Sequence, residues 1–488
     1  MFQFERCTPE EVGIPSSAVM KFLDQVDRTG IELHSIMMLR HGKVFAEGWW
    51  RPYAPELKHS VFSFTKSLLS TAIGFAEQEG KLTLDERVAD ILSDKISPNT
   101  SEQIKRATIA DFLKMSCGQH TEPGFRGEDF ARDFFAHEAP HEPGSYFLYN
   151  TAGTNVLSLV LLRKTGENLF DYLRPRLFDK IGMAKDIDCS KLADGTDMGG
   201  AGSRLHTEDM ARFMTFVANK GMWQGEQLLN ANWFERATAA QIDSTNNQPP
   251  ENVDWLQGYC YQYWRCSPEG SFRADGAFGQ FGVVLEKQDA VIIITQCNDD
   301  PQVSLRLIWD NLLPVMGDEP LPPSDESDAL KTRLSRLMLR AFPRSRQARS
   351  ESVVSGKLYA SESDITVSEF LGVFAMGEVD RSPKLEKIGI EFGDDCFFVI
   401  VAGGETYKLP FCPFGYLKAG GEVAGEKYAF GGRWRANGVF ELENRILERI
   451  GGTRFILRFD FKENSVTVER DSVSGFAPPA SAPLRFKA

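Results

Sequence analysis

The sequence predicts an α+β chain in two unlike parts: an antiparallel sheet flanked by helices, then an all-β region. Three observations lead there. Strand-like runs lie near both ends of the first part, at 34–40 and 43–49 and again at 258–265, 280–286 and 289–297, with helical signals between them. A stretch dense in proline and acid follows, Gly317-Asp318-Glu319-Pro320-Leu321-Pro322-Pro323-Ser324-Asp325, and reads as a linker. From 356 onward apolar residues recur at period two or in short solid runs, such as Lys387-Ile388-Gly389-Ile390-Glu391-Phe392 and Cys396-Phe397-Phe398-Val399-Ile400-Val401. That pattern predicts a barrel or sandwich of about seven to nine strands. The expected division is 1–316, a linker with a short helix at 317–355, and an all-β domain at 356–488.

Taken in order, residues 16–29 form an amphipathic helix with Val19, Phe22, Leu23 and Val26 on one face. His41-Gly42 turns the first hairpin, with glycine supplying the positive φ. The apolar run Ser67 to Ala76 reads as a buried helix with Ser63 at its first turn and its end near Gly80. Helices are expected at 84–92, 107–115, 127–136, 151–166, 167–177, 207–221 and 301–315, punctuated by Pro98, Gly118, Pro123-Gly124 and Pro143-Gly144. Lys287-Gln288 turns a second hairpin. The first and last segments thus share one antiparallel sheet and the helices make a second lobe. A basic helix is expected at 328–341 and a flexible stretch at 343–355.

Composition bounds the function. Hydrophobic residues at 42% and charged residues at 25% are ordinary for a globular protein. A net charge of −13 argues against nucleic acid and anionic membrane surfaces as partners. No apolar run is long enough to span a bilayer, and Met1-Phe2-Gln3-Phe4-Glu5-Arg6 lacks the basic start and apolar core of a signal peptide. Eight cysteines without a CxxC pair suggest free thiols in a reducing cytoplasm. No ligand set is read from them or from the seven histidines, so neither a metal nor a cofactor is expected.

Chemistry concentrates in three stretches. Ser63-Phe64-Thr65-Lys66 is the chain's one S-x-x-K match, with both side chains on one helical face. A serine is inert without a base, and a lysine within reach supplies one. Tyr149, between the Pro143-Gly144 turn and a helix starting near Thr151, stands where a phenol is aimed rather than packed. Beside an ammonium its pKa is expected to fall, suiting proton transfer. Ala274-Asp275-Gly276-Ala277-Phe278-Gly279-Gln280 places two glycines along a strand edge, where a substrate backbone could come close and an N–H could face an oxyanion. Each has a plainer alternative: an N-capping serine with a surface lysine, a boundary core tyrosine, and a glycine bulge.

Together these stretches resemble the serine β-lactamase-like family, in its class C, esterase and D-aminopeptidase branch. Gly80-Lys81-Leu82-Thr83-Leu84-Asp85, Met115-Ser116-Cys117-Gly118, Gly199-Gly200-Ala201-Gly202-Ser203 and Gly258-Tyr259-Cys260-Tyr261-Gln262-Tyr263-Trp264 are similar to it too, and the resemblance spans about 8–316. The region after 356 resembles the lipocalin-like barrel some members append. The resemblance implies a β-lactamase/transpeptidase-like fold, with Ser63 as acylated nucleophile, Lys66 accepting or relaying its proton and Tyr149 as general base or acid. It further implies Thr151 in substrate contact where the family's Y-x-N motif ends in asparagine, and Ala277, beside Gly276, as second oxyanion donor with the Ser63 N–H. Where penicillin-handling relatives carry K-T-G, this chain has Ala274-Asp275-Gly276. A substrate carboxylate would lose its lysine and meet an acid. The expectation is a hydrolase of a small ester, amide or peptide through an acyl-enzyme. The alternatives are a β-lactamase or D,D-peptidase, a D-amino-acid amidase, and a catalytically silent binding protein. Oligomeric state is left open.

Overall fold

The structure, a computed structural model, describes residues 2–343, 345–373, 380–448, 454–472 and 482–488. Its first part is built on a six-stranded antiparallel sheet in the order Lys43–Trp49, Leu33–Arg40, Ala290–Gln296, Gln280–Leu285, Ser271–Gly276, Trp264–Arg265. The early hairpin therefore lies against the late one, with Leu39 opposite Val291. Successive side chains point to opposite faces. Met37, Leu39, Val291 and Ile293 enter one core with the helices Thr65–Gln78 and Thr151–Thr165. Ile36, Met38, Ile292 and Ile294 enter another with the helices Ser16–Thr29 and Gln302–Asn311. Both faces being covered, Leu33–Arg40 is buried throughout, which is why Ile36-Met37-Met38-Leu39 at its middle is unbroken apolar.

Two strand expectations change. Only Trp264–Arg265 of 258–265 is a strand. Gly258 (φ 97°) and Gln262 (φ 67°) break it; Tyr259 packs edge-on against Tyr149, and Tyr261 and Tyr263 enter the first core. Ser271–Gly276 joins the sheet although its charged pair Arg273 and Asp275 hides the strand pattern.

The second part is a β-barrel. Ten strands from Leu358–Ser361 to Leu484–Lys487 form one sheet, which closes where Phe411 and Cys412 pair in parallel with Phe430 and Gly431. Phe398, Phe411, Phe430, Phe440 and Phe459 fill it, joined by Phe370 and Leu371 of the short helix Val367–Leu371. The barrel and the segment before it pack onto the sheet: Leu417, Ala429 and Leu447, with Leu330 and Leu339, belong to the second core. The stretch 317–355 accordingly carries two helices, Glu326–Leu334 and Ala348–Val354, where one helix and a flexible tail were expected. Among the described residues no helix is long and apolar enough to cross a membrane.

Candidate active site

Ser63 lies in a single 3-10 turn, Phe62–Phe64, and the α-helix starts at Thr65, slightly later than the sequence suggests. Phe62 adopts φ 46°, a left-handed conformation that costs a side-chain-bearing residue about 1–3 kcal/mol. Phe278, across the cleft, adopts φ 63°, and the two rings meet edge-on at 5.5 Å. The strained positions thus bracket Ser63 and Ala277 and hold each other.

One helical turn after Ser63, Lys66 is 1% exposed. Its Nζ donates to Ser63 Oγ at 2.8 Å, to Thr151 Oγ1 at 3.3 Å and to the Gly200 carbonyl at 2.6 Å. Burial lowers its pKa to about 7, while the carboxylates of Glu122 and Asp275 pull the other way. The Tyr149 hydroxyl is hydrogen-bonded to Ser63, and Lys66 Nζ lies 4.9 Å from the Tyr149 ring centre. The expected lowering of the Tyr149 pKa is reversed: burial drives it well above the ordinary phenol range, against the hydrogen bond to Ser63. The tyrosine stacks on Trp264 at 5.6 Å, in apolar surroundings that disfavour a phenolate. Of the two groups facing Ser63, the amine is the one tuned to give up charge near neutrality.

Thr151 begins the helix Thr151–Thr165; Asn150 caps it, accepting from the Gly153 N–H at 2.8 Å. The Thr151 hydroxyl reaches Lys66, and its N–H donates to Glu122 Oε1 at 2.6 Å. Gly276 and Ala277 border the same cavity of about 680 Å³, with Ser63, Tyr149 and Asp275. The glycine is needed for a reason other than the expected one. A Cβ at Gly276 would fall 2.1 Å from the Val61 carbonyl oxygen, so the close approach is by the chain's own backbone. Gly279 (φ 89°) is crowded by the Gln296 side chain. Asp275 does face the cavity but is not alone: Arg273, fully buried, donates to it through Nε at 2.8 Å. Arg273 itself lies 4.3 Å from the Trp255 ring centre. Burial raises the Asp275 pKa to about 6 against that ion pair.

The cavity walls otherwise come from the loops around 122–126 and 248–255, whose Phe125 and Trp255 join the rings of Phe62, Tyr149, Trp264 and Phe278, beside the polar Glu122, Arg126, Gln248 and Asn252. A match to the sequence profile of the Beta-lactamase family covers residues 20–313. The chain belongs to the beta-lactamase family. It is a serine hydrolase of that β-lactamase-related type, with a C-terminal barrel appended. The 6-aminohexanoate-dimer hydrolase of Paenarthrobacter ureafaciens is 22% identical over 289 residues, 55% of this chain and 73% of that protein. A candidate β-lactamase from Bacteroides dorei superposes with a TM-score of 0.52 at 13% identity, over 61% of this chain and 99% of its own, and shares the fold. The octameric penicillin-binding protein homologue from Pyrococcus abyssi is 15% identical, with 96% of this chain and 99% of that one covered at a TM-score of 0.49.

Sequence reasoning missed Glu122, Gly200, Trp264 and Arg273. Gly200 had a signal in its glycine-rich run: a Cβ there would meet Thr151 at 2.8 Å, so only glycine brings its carbonyl to Lys66. Glu122 and Arg273 had none, since their roles depend on loop and strand placement. His137 and His141 are spaced four apart, but Pro140 lies between them and neither is helical. His137 bonds the Thr121 hydroxyl and His141 stacks on Tyr146. Among the described residues there is no group of three or more side chains suited to holding a metal ion.

Proposed function

We propose that this hydrolase cleaves a small ester or amide through an acyl-enzyme on Ser63, with Lys66 as the base and Tyr149 as the proton shuttle. The observation that carries the reading is Lys66 Nζ at 2.8 Å from Ser63 Oγ with a pKa of about 7. A lysine at that value is substantially neutral at physiological pH and can take the serine proton as the carbonyl is attacked. The Tyr149 phenol donates to the leaving group as the proton that Lys66 took from Ser63 replaces its own, so no phenolate persists; in deacylation Lys66 takes a proton from the attacking water and Ser63 regains one through Tyr149. The amides of Ser63 and Ala277 serve as the oxyanion donors, and Thr151 holds Lys66 and the substrate.

The aromatic walls suit an apolar acyl or aryl group, and the absent lysine beside Gly276 disfavours a substrate carboxylate. We therefore place β-lactam turnover below that of neutral esters and amides by at least about tenfold, the range a lost charge-assisted bond allows. The domains act as divided at 1–316, 317–355 and 356–488. Eight cysteines without a CxxC pair fit work in a reducing cytoplasm. The test is intact-protein mass after a fluorophosphonate, with the adduct mapped to Ser63, followed by kcat/KM for short aryl esters, amides and nitrocefin. A protein that takes up no adduct and turns over no ester overturns the proposal; nitrocefin matching the best ester overturns its substrate part.

A further inference from the structure

A chain of polar side chains, buried except for the half-buried Glu32, runs from the barrel to the turn that carries Ser63. It starts at Arg445, 1% exposed, on the barrel strand Phe440–Ile446. Arg445 grips Glu32 with two nitrogens, Nη2 at 2.8 Å and Nε at 3.2 Å, and pairs with Glu443 through Nη1 at 2.8 Å. Glu32 Oε1 lies 3.1 Å from His34 Nε2, and His34 Nδ1 lies 2.8 Å from His59 Nε2. His59 Nδ1 then lies 2.8 Å from the Ser60 carbonyl oxygen. Both histidines are buried, and Tyr53 stacks on His34 at 3.9 Å.

The chain ends at a peptide that touches both halves of the site. The carbonyl of the Ser60–Val61 peptide faces His59, and its N–H donates to the Ser203 carbonyl at 3.1 Å. The peptide is therefore held at both ends. Val61's own carbonyl accepts from the Phe64 N–H at 3.1 Å and fills the space that a Cβ at Gly276 would take. A rotation at Ser60–Val61 would displace the Ser63 turn and the Gly276–Ala277 edge together. We propose that Arg445, on the barrel, is a positioning residue for the hydrolytic site, acting through Glu32, His34 and His59 on the Ser60–Val61 peptide. The proposal rests on Ser63 being the nucleophile. It gives the appended barrel a part in the reaction that the hydrolase domain alone cannot supply.

Proton counting shows how the chain responds to Arg445. The three links His59–Ser60, His59–His34 and His34–Glu32 need three protons, and two neutral imidazoles carry two. The Ser60 carbonyl only accepts, so His59 carries its proton on Nδ1 and accepts on Nε2. His34 then donates through Nδ1, and its link to the Glu32 carboxylate is complete only when Nε2 is protonated as well. The charged or titratable groups facing His34 are Glu32 just before its strand, Tyr53 from the following loop, His59 from the short strand His59–Ser60, and Arg445 with Glu443 from the barrel. Burial holds His34 below its ordinary value, Glu32 raises it, and Arg445 lowers it. Removing Arg445 should move the His34 midpoint up; neutralising Glu32 should move it down.

The experiment uses the full-length chain and two readouts: the rate of fluorophosphonate labelling at Ser63, and the titration of the histidine ring nitrogens by NMR with labelled histidine. Arg445→Met should slow labelling about tenfold or more, since misplacement by an ångström costs up to about a hundredfold. Arg445→Lys should recover part of the rate. Arg445→Met leaves Glu443 in the barrel with Arg454 as its remaining cation, a second local change, so Glu32→Gln, of the same shape, is measured beside it. It should slow labelling too, with the opposite shift at His34. Folded variants that label at the wild-type rate overturn the proposal, as does equal slowing with His34 unmoved in both. Wild-type protein that takes up no label fails the nucleophile reading instead, and His34 shifts of opposite sign would still separate the two.

Discussion

Lys66 and Arg445 are equally buried, each 1% exposed, and burial disfavours the charge of both. Their surroundings take them in opposite directions. Around Lys66 the hydrogen-bonding partners are two hydroxyls and a carbonyl, which satisfy an amine without requiring it to be charged. Glu122 and Asp275 act only through space, and the pKa falls to about 7. Around Arg445 two carboxylates, Glu32 and Glu443, lie at 2.8 Å beside the Asn444 carbonyl at 3.2 Å, and the guanidinium is pushed further up. The residue types fit: an ammonium changes charge readily when buried, whereas a guanidinium does not and grips a carboxylate with two nitrogens. The same burial leaves a group that can discharge where the neighbours are dipoles and a fixed cation where they are acids.

The largest expected effect breaks the first half of that contrast. Ser63→Ala should abolish acylation, and Lys66→Met should lower it by about 10⁴- to 10⁶-fold, as when one member of a nucleophile–base pair is lost. Lys66→Arg should be nearly as inactive although it restores a cation, because the site needs a group that can discharge. Activity in Lys66→Arg would mean that charge, not basicity, is the requirement. The wild-type acylation rate should rise with pH through about 7 as the neutral amine accumulates. Stability should follow. The folded pKa of about 7 lies below the ordinary 10.5, so across that window the unfolded chain binds the extra proton and stability climbs with pH. Melting temperatures of wild type and Lys66→Met should converge as pH is raised through it.

Tyr149→Phe should cost about a hundredfold in kcat while the fold is kept, the usual scale for a lost acid–base group. Its ring contacts with Trp264 and Tyr259 survive the change, so the melting temperature and the tryptophan bands of the near-ultraviolet circular dichroism should barely move. A kcat within a few-fold of wild type would reduce the tyrosine to a wall of the cavity.

How much of this could be read beforehand follows the range of the interactions involved. The Ser63–Lys66 pair is local, set by helical spacing, and was legible. So were the two hairpins and the alternating strands of the barrel, which are short-range patterns. Arg273 and Asp275 were not read as a strand because their charges interrupt the apolar alternation, and only the sheet shows that they face one side as an ion pair. Glu32, His34 and Arg445 were invisible for a different reason. Glu32 and Arg445 stand 413 residues apart, and nothing in either neighbourhood marks it as a partner. The direction of the Tyr149 pKa was misjudged because a nearby ammonium was weighed and the apolar enclosure was not.

The smallest expected effect concerns Asp275, which combines both halves of the contrast. It is an acid held by a buried arginine, like Glu32, yet it also faces the cavity and acts on Lys66. Had it stood alone, it would attract an amine-bearing substrate strongly. Arg273 neutralises much of its field, so the preference for a free amine over its acetylated analogue should be tenfold at most, below the usual 1.5–3 kcal/mol of about one full charge-assisted bond. Asp275→Asn keeps an acceptor for Arg273 Nε and removes the charge. Two changes should follow: the amine preference should vanish, and the pH midpoint of acylation should move down, because Asp275 raises the Lys66 pKa. The measurement is the ratio of kcat/KM for the paired substrates across pH in wild type and variant. A ratio and a midpoint that both stay fixed would leave Asp275 with Arg273 alone as its business, and the missing lysine beside Gly276 as the sole reason carboxylates are disfavoured.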